Sequence, residues 1–325
     1  MSGRGLRQRQ RGVALLVTLV LVAVVTILVV AMLDDIRFGL RRAGNAALVA
    51  QAQWHALGAE AVARKLVVSR PEVGRNGHAF EFPIEDEGGP GGRVHGRLED
   101  ATACFNLNSV VEGAGEQWQR RADGVAQFVA LQEALGLPRG SALELADTLV
   151  DWIDADQQPG ERGAEDAAYL AREPRQLTAS TLLAEPSELR ALRGMTPATY
   201  ALLRPWVCAL PDVTLSPVNV NALDEGDLPI VRMLAGGAIG AAAAQRVIAA
   251  RPAGGWSGEA QFWAQPALAA VQPSPAVHAQ VHTRSRYYRL QVAVEHGDAQ
   301  VELTSLFGHD GGRTRLLARR WNTEE

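Results

Sequence analysis

The most constraining feature of this sequence is an uninterrupted apolar run near the N-terminus, residues 13–33. It contains neither a charge nor a proline, and only Thr18 and Thr26 are polar. As a helix of 21 residues it would extend about 31 Å, which is enough to cross the hydrocarbon core of a bilayer. Four arginines and no acidic residue precede it, which predicts a single-pass helix with a cytoplasmic N-terminus. Everything after residue 34 is then exported.

The junction at the start of this run carries a second signal. Arg11 and Gly12 stand directly before Val13, at the boundary between the basic segment and the apolar segment. This junction resembles the leader of type IV prepilins, which a membrane-embedded peptidase cuts after the glycine. The resemblance predicts a leader over residues 1–12 and cleavage between Gly12 and Val13. An uncut membrane anchor, in which Gly12 has no role, is the alternative.

Residues 34–68 contain no proline and repeat apolar side chains at helical spacing, which predicts that the membrane helix continues as an amphipathic stem. The repeating positions are Ile36, Leu40, Ala43, Ala47, Ala50, Trp54, Leu57, Ala61 and Leu66. Pro71 disfavours helix at the residue before it, so the helix should end close to Ser69.

Strand-like segments stand on both sides of a long helical region. Two are predicted at 79–84 and 93–99, and three more at 287–295, 300–307 and 313–321, the last three separated by hairpin turns at Gly297-Asp298 and Gly311-Gly312. This order predicts an α+β fold with a type IV pilin-like long N-terminal helix packed on an antiparallel sheet. A large all-α domain, residues 111–275, would be inserted into a sheet domain made of residues 34–110 and 276–325.

Two segments of the predicted insert, residues 187–205 and 222–263, resemble helix-hairpin-helix pairs. Such hairpins can bind DNA phosphates through backbone amides, and the alternative is plain helix packing. Residues 141–190 carry 11 acidic residues against 4 arginines, which would repel a duplex, and the net charge of −4 gives no general attraction to nucleic acid. We therefore expect no nucleic-acid partner. A membrane-anchored, exported DNA-binding protein of the competence type is the alternative function.

The densest polar cluster is the glycine-containing loop over residues 151–166. Its acidic side chains offer several hard oxygens on a flexible loop, which suits Ca²⁺, although the spacing is not that of an EF-hand. The predicted ligands are Asp154, Asp156, Glu165 and Asp166, with Asp151 as a further ligand or a helix-end partner. A solvated acidic loop is the alternative.

The two cysteines, Cys104 and Cys208, would meet an oxidising compartment after export, which favours one disulfide over two buried thiols. No nucleophile, zinc or redox motif with the required spacing is present, so we expect no enzyme.

Several short motifs, taken in order, resemble the K-type minor pseudopilins of bacterial type II secretion systems. They span residues 11–16, 104–108, 151–156 with 163–166, 188–190 with 193–195, 218–221 and 285–288. The resemblance implies an inner-membrane protein whose head lies in the periplasm, at the tip of a pseudopilus with minor pseudopilins I, J and H. It also implies calcium at the acidic loop. Prepilin peptidase, the inner-membrane assembly platform and the lipid bilayer would be its other partners.

One residue of the apolar run bears on the place in the fibre. Val17 would be the fifth residue of the mature chain, where most pilins and pseudopilins carry a glutamate that meets the N-terminal amine of a neighbouring subunit. A charge buried in the membrane is costly unless paired, so that contact favours docking below an existing subunit. Without it, this chain is predicted to come first and to cap the fibre.

Overall fold

The computed structural model describes residues 4–69, 77–85, 89, 91–115 and 117–322, with side chains from Val13 onwards. The helices are α1 (Arg4–Ser69), α2 (Ala122–Ala134), α3 (Arg139–Ile153), α4 (Asp166–Leu170), α5 (Pro197–Leu203), α6 (Leu228–Leu234), α7 (Ala241–Ala249), α8 (Glu259–Trp263) and α9 (Pro275–Ala279). The strands are β1 (His78–Ile84), β2 (Gly92–Asp100), β3 (Phe105–Asn106), β4 (Val111–Ala114), β5 (Gln117–Arg120), β6 (Val207–Cys208), β7 (Val218–Asn219), β8 (Val281–His282), β9 (Tyr287–His296), β10 (Ala299–Asp310) and β11 (Arg313–Trp321). Four 3₁₀ turns complete the described elements, at Leu107–Val110, Pro186–Ala191, Arg204–Trp206 and Pro266–Leu268.

Helix α1 is one continuous helix that includes both the apolar run and the stem. The part from Val13 is long and apolar enough to cross a membrane, and residues 13–47 are all exposed. The predicted end of the helix at Ser69 is confirmed. Gly12 and Val13 both lie inside α1, where only the backbone of Gly12 is described.

The end of α1 packs on the sheet through small side chains, and this face is not the one that the sequence predicted. Ala52, Ala56, Ala59 and Ala63 are completely buried, because a residue with only a methyl group lets the helix backbone approach the strands closely. Of the predicted positions, Trp54 is 72% exposed and points away from the sheet, whereas Leu66 packs against the sheet core. The predicted face was therefore wrong over most of the stem, because the helical spacing of apolar residues also fits the exposed side.

A buried ion pair fixes this helix to the sheet. Glu60, only 3% exposed, accepts hydrogen bonds from Nε and Nη2 of Arg319 at 2.7 and 2.8 Å, and from the hydroxyl of Ser305 at 2.9 Å. Burial opposes ionisation of Glu60, but the hydrogen bonds from Arg319 and Ser305 outweigh it and hold the pKa of this carboxyl below its usual range. The charge is therefore kept and fully partnered at the helix–sheet interface.

The sheet has five antiparallel strands in the order β1-β2-β9-β10-β11, which confirms the predicted helix-on-sheet architecture. Each of its strands lies within one or two residues of the predicted bounds at its start, and β10 runs three residues further at its end. The inner face alternates with an outward polar face, as along β9, where buried and less buried residues take turns.

The inserted part leaves the sheet after β2 and returns at β9. The two ends lie side by side, since Asp100 pairs with Tyr288 and the amide of Ala101 donates to the carbonyl of Tyr287 at 3.0 Å. The insert has its own core, which already includes Ala103 and Phe105 and still includes Val281. Side-chain packing therefore changes from one core to the other closer to the sheet than the boundaries at 110/111 and 275/276 that the sequence suggested.

The insert is mainly helical, but it consists of two units that each begin and end with a short strand. In the first unit β3 pairs in parallel with β6, and in the second β7 pairs in parallel with β8. The first unit also contains an antiparallel hairpin of β4 and β5. Alternation was not visible in these segments because most of the strands have only two residues.

An Asn-x-Asn motif stands at the start of each unit and makes the same hydrogen bonds in both. Asn108 donates to the carbonyls of Leu183 and Leu210, both at 2.9 Å, and accepts from the amide of Leu183 at 2.8 Å. Asn221 donates to Trp256 and Thr283 at 3.0 and 3.2 Å and accepts from the amide of Trp256 at 2.7 Å. Each asparagine thus joins the opening segment of its unit to the middle and the closing segment. The two units are structural repeats of one another in this respect.

Candidate metal centre

Helix α3 brings two acidic residues to the start of the glycine-containing loop. Its apolar side, with Leu145, Leu149 and Ile153, is buried in the core of the insert. Asp147 and Asp151 are one turn apart on the same helix, and both are buried. Asp147 pairs with Arg120 at 2.7 Å, and Oδ2 of Asp147 accepts from the amide of Arg162 at 3.2 Å. Asp147 therefore anchors the loop, a role that the i, i+4 spacing to Asp151 could have indicated.

Three carboxylates converge where α3 ends and α4 begins. Asp151, Asp154 and Glu165 are 2%, 7% and 4% exposed, and each offers an oxygen within 4.8 Å of the oxygens of the other two. Asp154 follows the last residue of α3, and Glu165 precedes the first residue of α4. The loop between them folds back so that the two helix ends meet.

Two glycines let the loop backbone come close to Asp151. The amide of Gly160 donates to both carboxylate oxygens of Asp151 at 3.1 Å. A Cβ at Gly163 would lie 1.8 Å from Oδ2 of Asp151, so no larger residue fits there without a shift of the carboxylate. These glycines, together with Pro159, explain why the loop can bend tightly around acidic side chains.

Three of the other carboxylate oxygens of the cluster lack partners within the described chain. Oδ1 of Asp154 and both carboxylate oxygens of Glu165 are buried without a hydrogen bond to any described residue. An isolated buried carboxylate is costly, and the usual solutions are protonation or a bound cation. Burial, then the charges of Asp156 and Asp151, raise the pKa of Asp154 to about 7. Burial and the neighbouring carboxylates raise the pKa of Glu165 to about 8.

The predicted ligands Asp156 and Asp166 are placed differently from these three. Asp156 is exposed at the rim, where its carboxylate accepts from the amide of Gln158 at 2.8 Å. Oδ1 of Asp166 accepts from the amide and the hydroxyl of Thr178 at 2.9 and 2.8 Å, which holds the following segment of the chain. The structure therefore groups Asp151, Asp154 and Glu165, and gives Asp166 another partner.

The donor set fits a hard cation. Buried carboxylate oxygens from two helix ends and their loop are what Ca²⁺ prefers, and a site with unpaired buried oxygens would gain most from the ion. Aromatic packing joins the two helices that carry the cluster, since Trp152 of α3 and Tyr169 of α4 make an edge contact with ring centroids 5.2 Å apart. The hydroxyl of Tyr169 accepts from the amide of Arg193 at 3.1 Å, which ties the cluster to the first predicted hairpin.

The two cysteines meet at the junction of insert and sheet. Cys104 and Cys208 are joined in a disulfide, with their Cα atoms 5.8 Å apart. The bridge packs against Tyr287 and Leu306 of the sheet. Nearby, Arg320 of β11 pairs with Glu185 of the insert at 2.7 Å. The disulfide thus closes the first unit of the insert, between the start of β3 and the end of β6, and the Arg320–Glu185 ion pair connects the insert to the sheet.

The predicted hairpin pairs are present as helices. One joins the 3₁₀ turn Pro186–Ala191 to α5 through Gly194, and the other joins α6 to α7 through Gly236 and Gly237. At the second hairpin the amides of these two glycines donate to the carbonyls of Met233 and Arg232 at 2.9 Å. Both amides are thereby used inside the helix end, in the manner of a glycine C-cap.

A long N-terminal helix on a five-stranded antiparallel sheet, with a helical insert between β2 and β9, defines a pilin-like class of protein. Family models described as Type II secretion system (T2SS), protein K match residues 103–212 and 218–283, which correspond to the two units of the insert. The protein is similar to type II secretion system protein K of Klebsiella pneumoniae, with 34% identity over 97% of this chain and 98% of the relative. The same protein of Pseudomonas aeruginosa is 31% identical over 97% of this chain and 93% of the relative.

A solved structure agrees with these matches. The GspK-GspI-GspJ complex of the enterotoxigenic Escherichia coli type 2 secretion system contains a chain that aligns with a TM-score of 0.68 and 28% identity, over 84% of this chain and 96% of that one. The chain belongs to the type II secretion system protein K family. This family is a structural component of the secretion apparatus, and the DNA-binding alternative is not favoured.

Proposed function

We propose that this protein is the minor pseudopilin that caps the tip of a periplasmic pseudopilus and initiates its assembly for export of folded proteins. The observation that carries the proposal is the size and attachment of the insert. The disulfide closes the first unit of the insert and packs against Tyr287 and Leu306 of the sheet, and Arg320 of β11 pairs with Glu185 of the insert, so the insert is a fixed enlargement of the head. A repeating subunit must fit between neighbours above and below, whereas a terminal subunit needs room only on one side.

The apolar run supports the same position. From Val13 to Leu33 it offers no carboxylate with which to meet the N-terminal amine of another subunit within the membrane. A chain that cannot make this contact has no reason to dock beneath a neighbour. It can still receive a neighbour below itself.

The stem offers a contact surface for such neighbours. The side of α1 opposite the sheet exposes Trp54 among small residues, Ala47, Ala50, Gly58 and Ala61. A large aromatic ring beside small side chains suits close helix–helix packing. The related chain in the solved complex assembles with GspI and GspJ, and we assign this stripe to the corresponding minor pseudopilins, with H as a further partner.

The acidic cluster would hold calcium. Asp151, Asp154 and Glu165 would bind the ion, with Asp156 at the rim. The ion would neutralise the buried carboxylates and connect the end of α3 to the start of α4. Its role is to stabilise the insert, and no catalytic step is involved.

Processing by prepilin peptidase would precede assembly. Because Gly12 stands between the basic leader and the apolar run, the membrane-extracted protein should begin at Val13 in intact-mass measurements. Gly12→Leu should leave residues 1–12 attached, and Gly5→Leu, elsewhere in the leader, should be processed normally. An intact Met1 terminus in cells with active peptidase would contradict this proposal. The mature protein would lie in the inner membrane, beside the assembly platform, with its head in the periplasm.

Counting copies in purified pseudopili tests the cap. We expect one labelled copy per fibre, at one end, and about as many fibres as labelled copies. Cells lacking the protein should initiate fewer fibres. Many copies distributed along the shaft would refute the proposal, whereas loss of fibres with no terminal copy would assign the protein to initiation alone.

A further inference from the structure

Three arginines lie on the exposed part of α1 just beyond the apolar run, at positions 37, 41 and 42. They follow Leu33 by four, eight and nine residues, which places their Cα atoms about 6, 12 and 13 Å further along the helix axis. Between Val13 and Gln51 no residue of α1 is buried, so the rest of the described chain does not cover this segment. Apart from neighbours on α1 itself, whatever these side chains contact lies outside the described fold.

Most of the arginine charge in this segment is not neutralised within the described chain. Arg37 pairs with Asp34 at 3.6 Å, and both side chains are about two-thirds exposed. Neither Arg41 nor Arg42 has a carboxylate within 4 Å among the residues that the structure describes. Two guanidinium groups therefore remain available to an external anion.

The distance of the three arginines from the end of the apolar run indicates which kind of anion they contact. The headgroup region of a bilayer occupies about 5–7 Å on each side of the hydrocarbon core. Helical Cα–Cβ bonds tilt towards the N-terminus, so the side chains of Arg41 and Arg42 lean back towards the membrane. Long basic side chains can follow this direction and place their charged ends at the phosphate level.

We propose that Arg37, Arg41 and Arg42 bind the phosphate groups of anionic phospholipids at the periplasmic surface of the membrane. We call these three residues the arginine collar. A guanidinium group can donate two parallel hydrogen bonds to one phosphate. At a membrane surface, lipid phosphates are always within reach of these side chains. The inference rests on the proposed membrane anchorage. The collar would fix the depth of the stem before the subunit enters the fibre.

The test uses the full-length protein in nanodiscs that contain equal amounts of phosphatidylglycerol and phosphatidylcholine. Native mass spectrometry then measures which lipids remain bound after release. A basic side chain near an anionic surface is worth about fivefold in affinity, so the pair Arg41 and Arg42 should give about 25-fold enrichment of phosphatidylglycerol. Arg41→Gln/Arg42→Gln should lower the enrichment by about this factor, since Arg37 and the four arginines before the apolar run remain, and raised salt should lower it in both proteins. Arg246→Gln, an exposed arginine of α7, should retain it.

The outcomes separate the possible anions. Equal retention of both lipids by the wild-type protein would overturn the collar, and so would equal enrichment in the double variant. Displacement of phosphatidylglycerol by millimolar inorganic phosphate would replace a lipid site with a general anion site. If the wild-type protein loses its phosphatidylglycerol enrichment when the minor pseudopilins are added, the arginines bind a protein partner and not lipid. Failure of the chain to enter nanodiscs at all would contradict the proposed anchorage.

Discussion

Chelation of calcium will lower the melting temperature of the full-length protein by about 5–10 °C. An ion at a hundredfold excess over its dissociation constant stabilises the folded state by about 2.7 kcal/mol, and 1 kcal/mol corresponds to about 2–4 °C for a domain of this size. The effect is expected because Oδ1 of Asp154 and both oxygens of Glu165 are buried without a partner in the described chain. Calorimetric melting in detergent with calcium and with chelator measures it.

A single substitution should reverse the response. Glu165→Gln removes one charge from the buried cluster, so it should raise the melting temperature in chelator and abolish the gain on adding calcium. Glu161→Gln, in the same loop but 79% exposed, should behave like the wild-type protein. Identical responses of the two variants to calcium would show that the cluster is not an ion site.

The pH dependence follows from the same carboxylates. The pKa values of Asp154 and Glu165 rise to about 7 and about 8, so the folded protein holds more protons than the unfolded chain between about pH 4 and 8. Without calcium, stability should therefore fall as the pH rises through this window. With calcium the decrease should be smaller, because the ion takes the place of the protons. Melting curves at pH 5.5 and 8 with chelator test the sign.

Glu60→Ala will destabilise the packing of α1 on the sheet by about 3 kcal/mol, the lower part of the range for breaking a buried ion pair. Removal of Glu60 leaves the guanidinium of Arg319 without its carboxylate and the buried hydroxyl of Ser305 without its acceptor. The lower end is expected because the side chain of Arg319 is 35% exposed and can regain water. The pKa of Glu60 lies below its usual range. Its contribution to stability should therefore be lost only when the pH falls below the pKa of an ordinary carboxyl group.

A double-mutant cycle measures the pair itself. Glu60→Ala, Arg319→Ala and their combination should give a coupling energy well above that of the exposed Glu81–Arg93 pair, for which at most about 0.5–1 kcal/mol is expected. Chemical denaturation of the full-length protein in detergent provides the free energies. A coupling no larger than that of the exposed pair would remove Glu60 from the helix–sheet attachment.

Features with a long regular pattern could be predicted from the sequence. The apolar run and the absence of proline before Pro71 predicted α1 from Val13 to its end at Ser69, though not its start at Arg4, and alternation with glycine turns predicted the five strands of the sheet. The buried side of the stem could not be predicted in this way. Alanine gives a weak hydrophobic signal. The buried side also contains Glu60, and an acidic residue in a helix is normally predicted to lie at the surface. Its partner Arg319 lies 259 positions away.

The candidate metal centre was predictable only as a group of acidic residues. Composition and glycine content indicated the loop, but which carboxylates converge depends on how the chain folds back through Gly160 and Gly163. Asp166 follows Glu165 directly, and its oxygen is used by Thr178, a residue that the local sequence does not connect with it. The Asn-x-Asn motifs were visible as part of a family resemblance. Their role required knowledge of segments up to 102 residues apart.

The adjacency of the two ends of the insert has a consequence for how such a protein could have arisen. Asp100 and Tyr288 pair with each other in β2 and β9, so these two strands form a hairpin whose connection is the whole insert. A short turn would close these strands with the same register. The insert could therefore have been acquired, enlarged or exchanged during evolution without a change in the strands on either side. In the proposed capping role, the size of the insert could then evolve separately from the helix and sheet.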